Sequence, residues 1–201
     1  MQFTDQHNEI RRTVSQFVEK EINPFVEEWE NAGIFPAHEV FKKAGNLGLL
    51  GIHKPEEYGG LGLDYSYALV AQEEWGSASH GSVPLSIAVQ TDMATPALAR
   101  FGSDELKRNF LTPAIAGDMV TSIGVSEPHA GSDVAAIKTT AIKRGDDYVI
   151  NGTKMWITNS TQADYICLLA NTSDDQKHVN KSLIIVPTDV PGFSTSSRLN
   201  K

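Results

Sequence analysis

The stretch MVTSIGVS, residues 119–126, is where the hydrophobic period changes from helical to alternating, and that change divides the chain in two. After it come KTTAIKR at 138–144, DYVINGTKMWITNS at 147–160, ADYICLLANT at 163–172 and KSLIIVPT at 181–188, with Gly145-Asp146-Asp147 as a turn. Short runs of β-branched and aromatic residues between Gly, Asp and Asn predict strands. Before it, Ile10, Val14, Phe17, Val18, Ile22, Phe25, Val26 and Trp29 repeat at the 3.6-residue period of an amphipathic helix. Pro24 removes a backbone donor and predicts a break in that helix, and Gly33 predicts its stop. Further helices are expected over 36–47, after an Asp64 cap with Tyr65, Ala68, Leu69 and Trp75 as apolar positions, over the apolar stretch 83–99, and after a Ser103 cap. Helices followed by a block of strands predict an α+β chain. Its N-terminal all-α helical domain covers 1–118, and an antiparallel β-barrel or sandwich domain covers 119–201.

Composition narrows the function classes. Of 201 residues, 40% are hydrophobic and 21% charged, as in a folded domain. Lys and Arg number 17 against 25 Asp and Glu, a net charge of -8 with no basic patch, which argues against nucleic acid as a partner. Residues 1–118 hold most of the excess acid, and the later strands are balanced. The most apolar stretch is interrupted by Pro84, Gln90, Asp92 and Pro96, short of the ~20 residues a membrane-spanning helix needs, so no membrane insertion is expected. The single Cys167, between Tyr165, Ile166, Leu168 and Leu169, reads as a buried filler and fits an intracellular, reducing compartment. The six histidines never cluster at ligand spacing, so no metal is expected. The opening MQFTDQHNEIRR has neither the apolar core of a signal peptide nor the character of a transit segment.

Three apparent motifs fail on context. GGLGLDY at 59–65 lacks the third glycine and the surrounding strand of a dinucleotide loop. GVSEP at 124–128 has Pro128 where a nucleophile elbow needs glycine. His38-Glu39 is followed by Lys42, not by the second histidine of a zinc helix.

The informative segments are SIGVSEPHAGSD at 122–133 and KMWITNS at 154–160. The first is a strand entering a turn, which is either a plain tight turn or an anion-facing concavity of amides and a hydroxyl. In the second, a period of two puts Lys154, Trp156 and Thr158 on one strand face and Met155 and Ile157 on the other. Trp156 is then either core or a plate for a flat heterocycle.

Together, EPHAGSD at 127–133 and NGTKMWITN at 151–159 resemble the flavin-binding middle domain of the acyl-CoA dehydrogenase family. The same order of features extends to IN-P at 22–24, PEEYGGLG at 55–62, FGSDELKRNFLTPAIAGD at 101–118 and PGFS at 191–194. The resemblance implies FAD as cofactor, with Val125 and Ser126 meeting the flavin ring and Ser126 keeping the hydroxyl of the commoner threonine. It puts Ser132 toward the pyrophosphate and makes it the candidate substrate contact as well. Gly131 serves close backbone approach, Trp156 packs on the ring, Thr158 lies near its N5 edge, and Ile123 and Ile157 complete the cofactor set. Glu127 holds the turn, and the helix over 83–99 resembles the wall along which the acyl chain lies.

The implied reaction is α,β-dehydrogenation of an acyl-CoA thioester, with an electron-transfer flavoprotein as acceptor, in a homo-tetramer or dimer. In that family a third, C-terminal helical domain carries the carboxylate base. The β domain is therefore expected to be incomplete at its C-terminal end, and the 201 residues alone to lack a catalytic residue and to be inactive. An acyl-CoA oxidase, or a catalytically silent chain that binds flavin or CoA, are the alternatives. The compartment implied is the mitochondrial matrix in a eukaryote and the cytoplasm in a bacterium.

Overall fold

In the computed structural model, residues 3–174, 176, 178–196 and 198 are described, which leaves the first two residues and the extreme C-terminal end of the expected β domain outside the described residues. The chain separates into two compact units, residues 1–120 and 121–201.

The first unit is helical. α1 (Asp5–Phe17) buries Val14 and Phe17 from the predicted stripe. Approaching Pro24, its bonding loosens into a π-turn at Val18–Ile22 and a 3-10 turn at Asn23–Phe25. That is the physical effect of a missing donor. α2 (Val26–Ala32) then resumes and stops at Gly33. α3 (Ala37–Asn46) follows, and α4 (Tyr65–Trp75) starts where the Asp64 carboxylate accepts from the Ser66 amide at 2.7 Å. α5 (Ser82–Ala88), a π-turn at Val89–Ala94 and α6 (Pro96–Phe101) make up the apolar stretch as three pieces rather than one helix. α7 (Asp104–Leu106), capped by Ser103, leads through a π-turn at Lys107–Leu111 to α8 (Thr112–Ile115).

The core of this unit gathers Val14, Ile22, Phe41, Leu50, Trp75, Val83 and Ile87, all fully buried. On α4, the apolar positions Ala68 and Trp75 are buried, and Tyr65 and Leu69 are exposed. The buried set Ala68, Val70, Ala71 and Trp75 covers one side of the helix at a hundred degrees per residue, and Tyr65 and Leu69 fall on the other.

Lys54 is buried in the same core, where its Nζ donates to the Thr91 carbonyl at 2.6 Å and lies 2.9 Å from His53 Nε2. Burial pulls the amine down to about 8, with Asp92 opposing the shift. Between that value and its ordinary 10.5 the unfolded chain binds the extra proton, so this group adds stability as the pH rises through the interval. Denaturant titrations of wild type and Lys54→Met should therefore diverge in favour of wild type by up to about 3 kcal/mol from pH 8 to 10.5. A constant difference would show that Lys54 is protonated alike in both states.

The second unit holds a five-stranded sheet of β1 (Thr121–Gly124), β2 (Thr140–Arg144), β3 (Asp147–Asn151), β4 (Tyr165–Asn171) and β5 (Lys181–Pro187). β2 and β3 form the antiparallel hairpin that the turn at Gly145 predicts, and β5 runs antiparallel to β4. β1, however, pairs with β4 in parallel, from Thr121↔Tyr165 to Gly124↔Leu168, and β2 touches β4 in parallel at Thr140↔Asn171. The α+β class holds, with helices before strands, and only the expected all-antiparallel pairing is corrected, to a mixed sheet. Parallel strands need a long crossover, and the segment from β1 to β4, which contains the whole β2–β3 hairpin, supplies one.

With partners on both edges, β4 reads as the near-continuous apolar run of a central strand. Ala141, Ile166, Leu168 and Ala170 form the core here. Cys167 is buried as expected, and burial pushes its thiol up to about 11. A second correction concerns 147–160, which is not one strand: β3 ends at Asn151, and Lys154 to Thr158 lie in a loop. Among the described residues no helix is long and apolar enough to cross a membrane, and no group of three His, Cys, Asp or Glu is placed to hold a metal ion.

Candidate functional site

Beyond β1 the chain turns back on itself through a bridge in which the Glu127 amide donates to the Ala130 carbonyl at 2.9 Å and the Ala130 amide to the Glu127 carbonyl at 3.1 Å. The Glu127 side chain points inward and is 5% exposed. It accepts from the Lys138 amide at 2.7 Å, the Thr139 amide at 2.9 Å, Thr139 Oγ1 at 2.5 Å and Lys154 Nζ at 2.9 Å. His129 Nε2 stands 3.4 Å from its other oxygen. Burial alone would raise the carboxyl's pKa, but the bonds from Thr139, the Lys138 amide and Lys154 outweigh it and hold the group at about 2. A carboxylate so stabilised is a poor proton acceptor at neutral pH. Its chemistry is to tie the turn, residues 138–139 and Lys154 into one knot.

The second segment is fastened to the first at several points. Lys154 Nζ also donates to the Val125 carbonyl at 2.9 Å, and the Met155 amide donates to the Ser126 carbonyl at 2.9 Å. Asn159 Nδ2 donates to the Thr121 carbonyl at 3.0 Å. Between these fastenings Trp156 has φ 64°, left-handed backbone that is rare for a bulky residue, and Asn159 has φ 70°. The Trp156 residue is 64% exposed, so it has little packing of its own to offset the strain. Trp156→Gly should leave the unit as stable as wild type or raise its stability by about 1 kcal/mol, since glycine adopts this conformation freely. A loss above about 1 kcal/mol in urea denaturation would mean that the ring is packed after all.

The predicted site residues fall into three groups. Ile123 lies half-buried on β1, opposite Cys167, with Val125 and Ser126 half-buried just beyond the strand. Trp156, Ile157 and Thr158 are brought beside Val125 and Ser126 by the Lys154 and Met155 bonds. They do so as a loop, and the expected sharing of one strand face by Lys154, Trp156 and Thr158 does not occur. Gly131 and Ser132 sit exposed in the turn after the bridge, and a side chain at Gly131 would meet nothing within 4 Å. Thr139 and Asn159 are structural members given no role from the sequence, and Lys154, expected only to share a strand face with Trp156 and Thr158, is a third. The only signal for Lys154 was a charged residue set among Met155, Trp156 and Ile157.

This arrangement fits a flat, phosphate-bearing cofactor. An exposed indole offers a stacking face, half-buried hydroxyls at Ser126 and Thr158 offer bonds at a ring edge, and Ser132 in an open turn offers one to an anion.

Comparison with known proteins gives two family matches: Acyl-CoA dehydrogenase, N-terminal domain, over residues 4–118, and Acyl-CoA dehydrogenase, middle domain, over residues 122–201. A probable acyl-CoA dehydrogenase, YngJ, of Bacillus subtilis is 44% identical over 202 residues, covering 100% of this chain and 52% of that protein. The crystal structure of an acyl-CoA dehydrogenase from Geobacillus kaustophilus superposes with a TM-score of 0.92 at 37% identity, covering 99% of this chain and 52% of that one. A glutaryl-CoA dehydrogenase from Mycobacterium smegmatis in complex with FADH2 gives a TM-score of 0.90 at 34% identity, covering 99% and 50%. The chain spans about half the length of the curated relatives it matches.

Proposed function

We propose, from the premise that the chain belongs to the acyl-CoA dehydrogenase family, that the protein performs flavin-dependent α,β-dehydrogenation of acyl-CoA thioesters. The observation that carries this reading is the exposed, left-handed Trp156 pinned beside Val125 and Ser126. FAD, when bound, supplies the two-electron acceptor for the hydride leaving the β carbon. Trp156 would stack on its ring, Ser126 and Thr158 would donate or accept at the ring edge, and the open turn at Gly131 and Ser132 would receive the pyrophosphate. Ile123, Val125 and Ile157 close the apolar side, and Ser132 is the proposed substrate contact. The units act as a helical domain over 1–118 and a flavin-binding domain over 119–201.

The α proton needs a base of suitable proton affinity within ~2.6–3.2 Å. Glu127, the carboxylate nearest this site in sequence, is committed to its donors, so the reading assigns the base to none of residues 1–201 and takes this span as inactive by itself. An electron-transfer flavoprotein is the proposed acceptor, in a dimer or tetramer. The proposed compartment is the mitochondrial matrix in a eukaryote and the cytoplasm in a bacterium.

The test is an anaerobic titration with acyl-CoA thioesters after FAD loading and removal of the excess. The complete polypeptide should bleach the flavin band, and residues 1–201 alone should retain flavin without bleaching. Bleaching by residues 1–201 would place a base within them, and peroxide formed in air would indicate an oxidase.

A further inference from the structure

We propose that Lys154 is a positioning residue that sets how Trp156 and the Ser126 amide are presented to the flavin. The inference rests on the flavin reading above. Its first support is the reach of the side chain. The Lys154 side chain is only 8% exposed, yet both acceptors of its Nζ, the Val125 carbonyl and Glu127 Oε1, belong to the first motif, each at 2.9 Å. A solvated lysine would need neither.

The second support is peptide geometry. In a planar trans peptide the C=O and the following N–H point opposite ways. Holding the Val125 carbonyl toward Lys154 therefore turns the Ser126 N–H to the other side. The next peptide is fixed likewise, because the Ser126 carbonyl accepts from Met155 while the Glu127 N–H points to Ala130. Lys154 thus sets one peptide plane and Met155 the next.

The third support is strain. Trp156 keeps φ 64° with most of its residue surface exposed, so its conformation is imposed by what flanks it. On one side stand Lys154 and Met155, on the other Asn159, bonded to Thr121. Asn159 tolerates its own positive φ as a small polar residue, so the bulky member of the pair depends most on the anchors. With the Lys154 anchor released, Trp156 relaxes to ordinary backbone and its ring leaves the stacking position.

A purely structural lysine would stabilise the unit without this coupling. The experiment is a double-mutant cycle on FAD affinity in the complete protein, read by flavin fluorescence and with circular dichroism recorded for every variant. Lys154→Met should weaken FAD binding about tenfold and restore flavin fluorescence that a stacked indole quenches. Trp156→Ala should weaken it to a similar degree. The two changes combined should fall well short of the product of their separate effects, because the second has nothing left to position. The pair Lys154→Met with Glu127→Gln leaves no unpaired charge behind, which removes the charge part of the Glu127→Gln penalty, and it should read as folded by circular dichroism while still losing FAD. Effects that multiply in full, or wild-type FAD affinity in that charge-free pair, would overturn the proposal. If the wild-type protein takes up no FAD, the flavin reading falls and this inference falls with it.

Discussion

Glu127→Gln destabilises the sheet unit by about 3–5 kcal/mol at pH 7, the largest effect expected of any change near the site. The amide keeps the size of the side chain but leaves the Lys154 ammonium, on a side chain 8% exposed, without its counter-charge. It also turns one oxygen that accepted from donors into a group that donates toward them, against either the Lys138 amide at Oε2 or the Thr139 amide and Oγ1 at Oε1.

The effect carries a pH signature. Glu127 titrates near 2 in the folded unit against an ordinary 4.5, so its contribution is whole above 4.5 and is lost as the pH falls toward 2. Urea denaturation of wild type and variant at several pH values should show the gap between them narrowing through that interval and steady above it. A gap below about 1 kcal/mol at pH 7, or one indifferent to acid, would show that the bonds around Glu127 contribute little net stability.

Gly117→Ala is expected to destabilise the helical unit by about 3–5 kcal/mol, for reasons that are steric and conformational together. Gly117 has φ 74°, and a Cβ there would overlap the carbonyl of Phe41 and the Cα of Lys42. Both are backbone atoms of α3, and Phe41 is fully buried, so neither can swing aside as a side-chain tip would. Gly145 is the control: its φ is 64°, but a Cβ there meets nothing within 4 Å. Gly145→Ala should lose only the conformational share, about 1 kcal/mol. Equal losses at the two positions, compared by thermal melts of the same protein, would show that α3 can shift to make room.

How far the fold was legible follows from the range of the forces involved. The stripe from Ile10 to Trp29, its break at Pro24 and the Asp64 cap depend on neighbours within a turn or two, and each is present in the structure, apart from Phe25, which the break leaves exposed. The β2–β3 hairpin is equally local. The pairing of β1 with β4 is not, because nothing in MVTSIGVS says which later apolar run lies alongside it. Lys54 shows the same limit within the helical unit. In a Gly- and Pro-rich loop a lysine reads as solvated, and only the arrival of Thr91 makes its burial tolerable.

At the site, the turn residues were readable because Pro128, Gly131 and Asp133 act on their own backbone. The loop at 154–158 was not. Lys154, Met155, Trp156, Ile157 and Thr158 alternate as a strand would, and the bonds that bend them lead to Thr121, Val125, Ser126 and Glu127, some thirty residues back. An alternating pattern was mistaken for a ladder because its true partners were donors and acceptors far away along the chain.

The mixed sheet also orders events in time. The β2–β3 hairpin closes over Gly145 and Asp146 and belongs to the class of structures that form within microseconds. β1 finds its parallel partner only once β4 has been reached, past the entire hairpin and the loop beyond it. Such long-range closure is the slow part of folding. The segment carrying Val125 and Ser126 therefore hangs from a strand that waits, and the proposed flavin seat is completed only after the scaffold on either side of it is built.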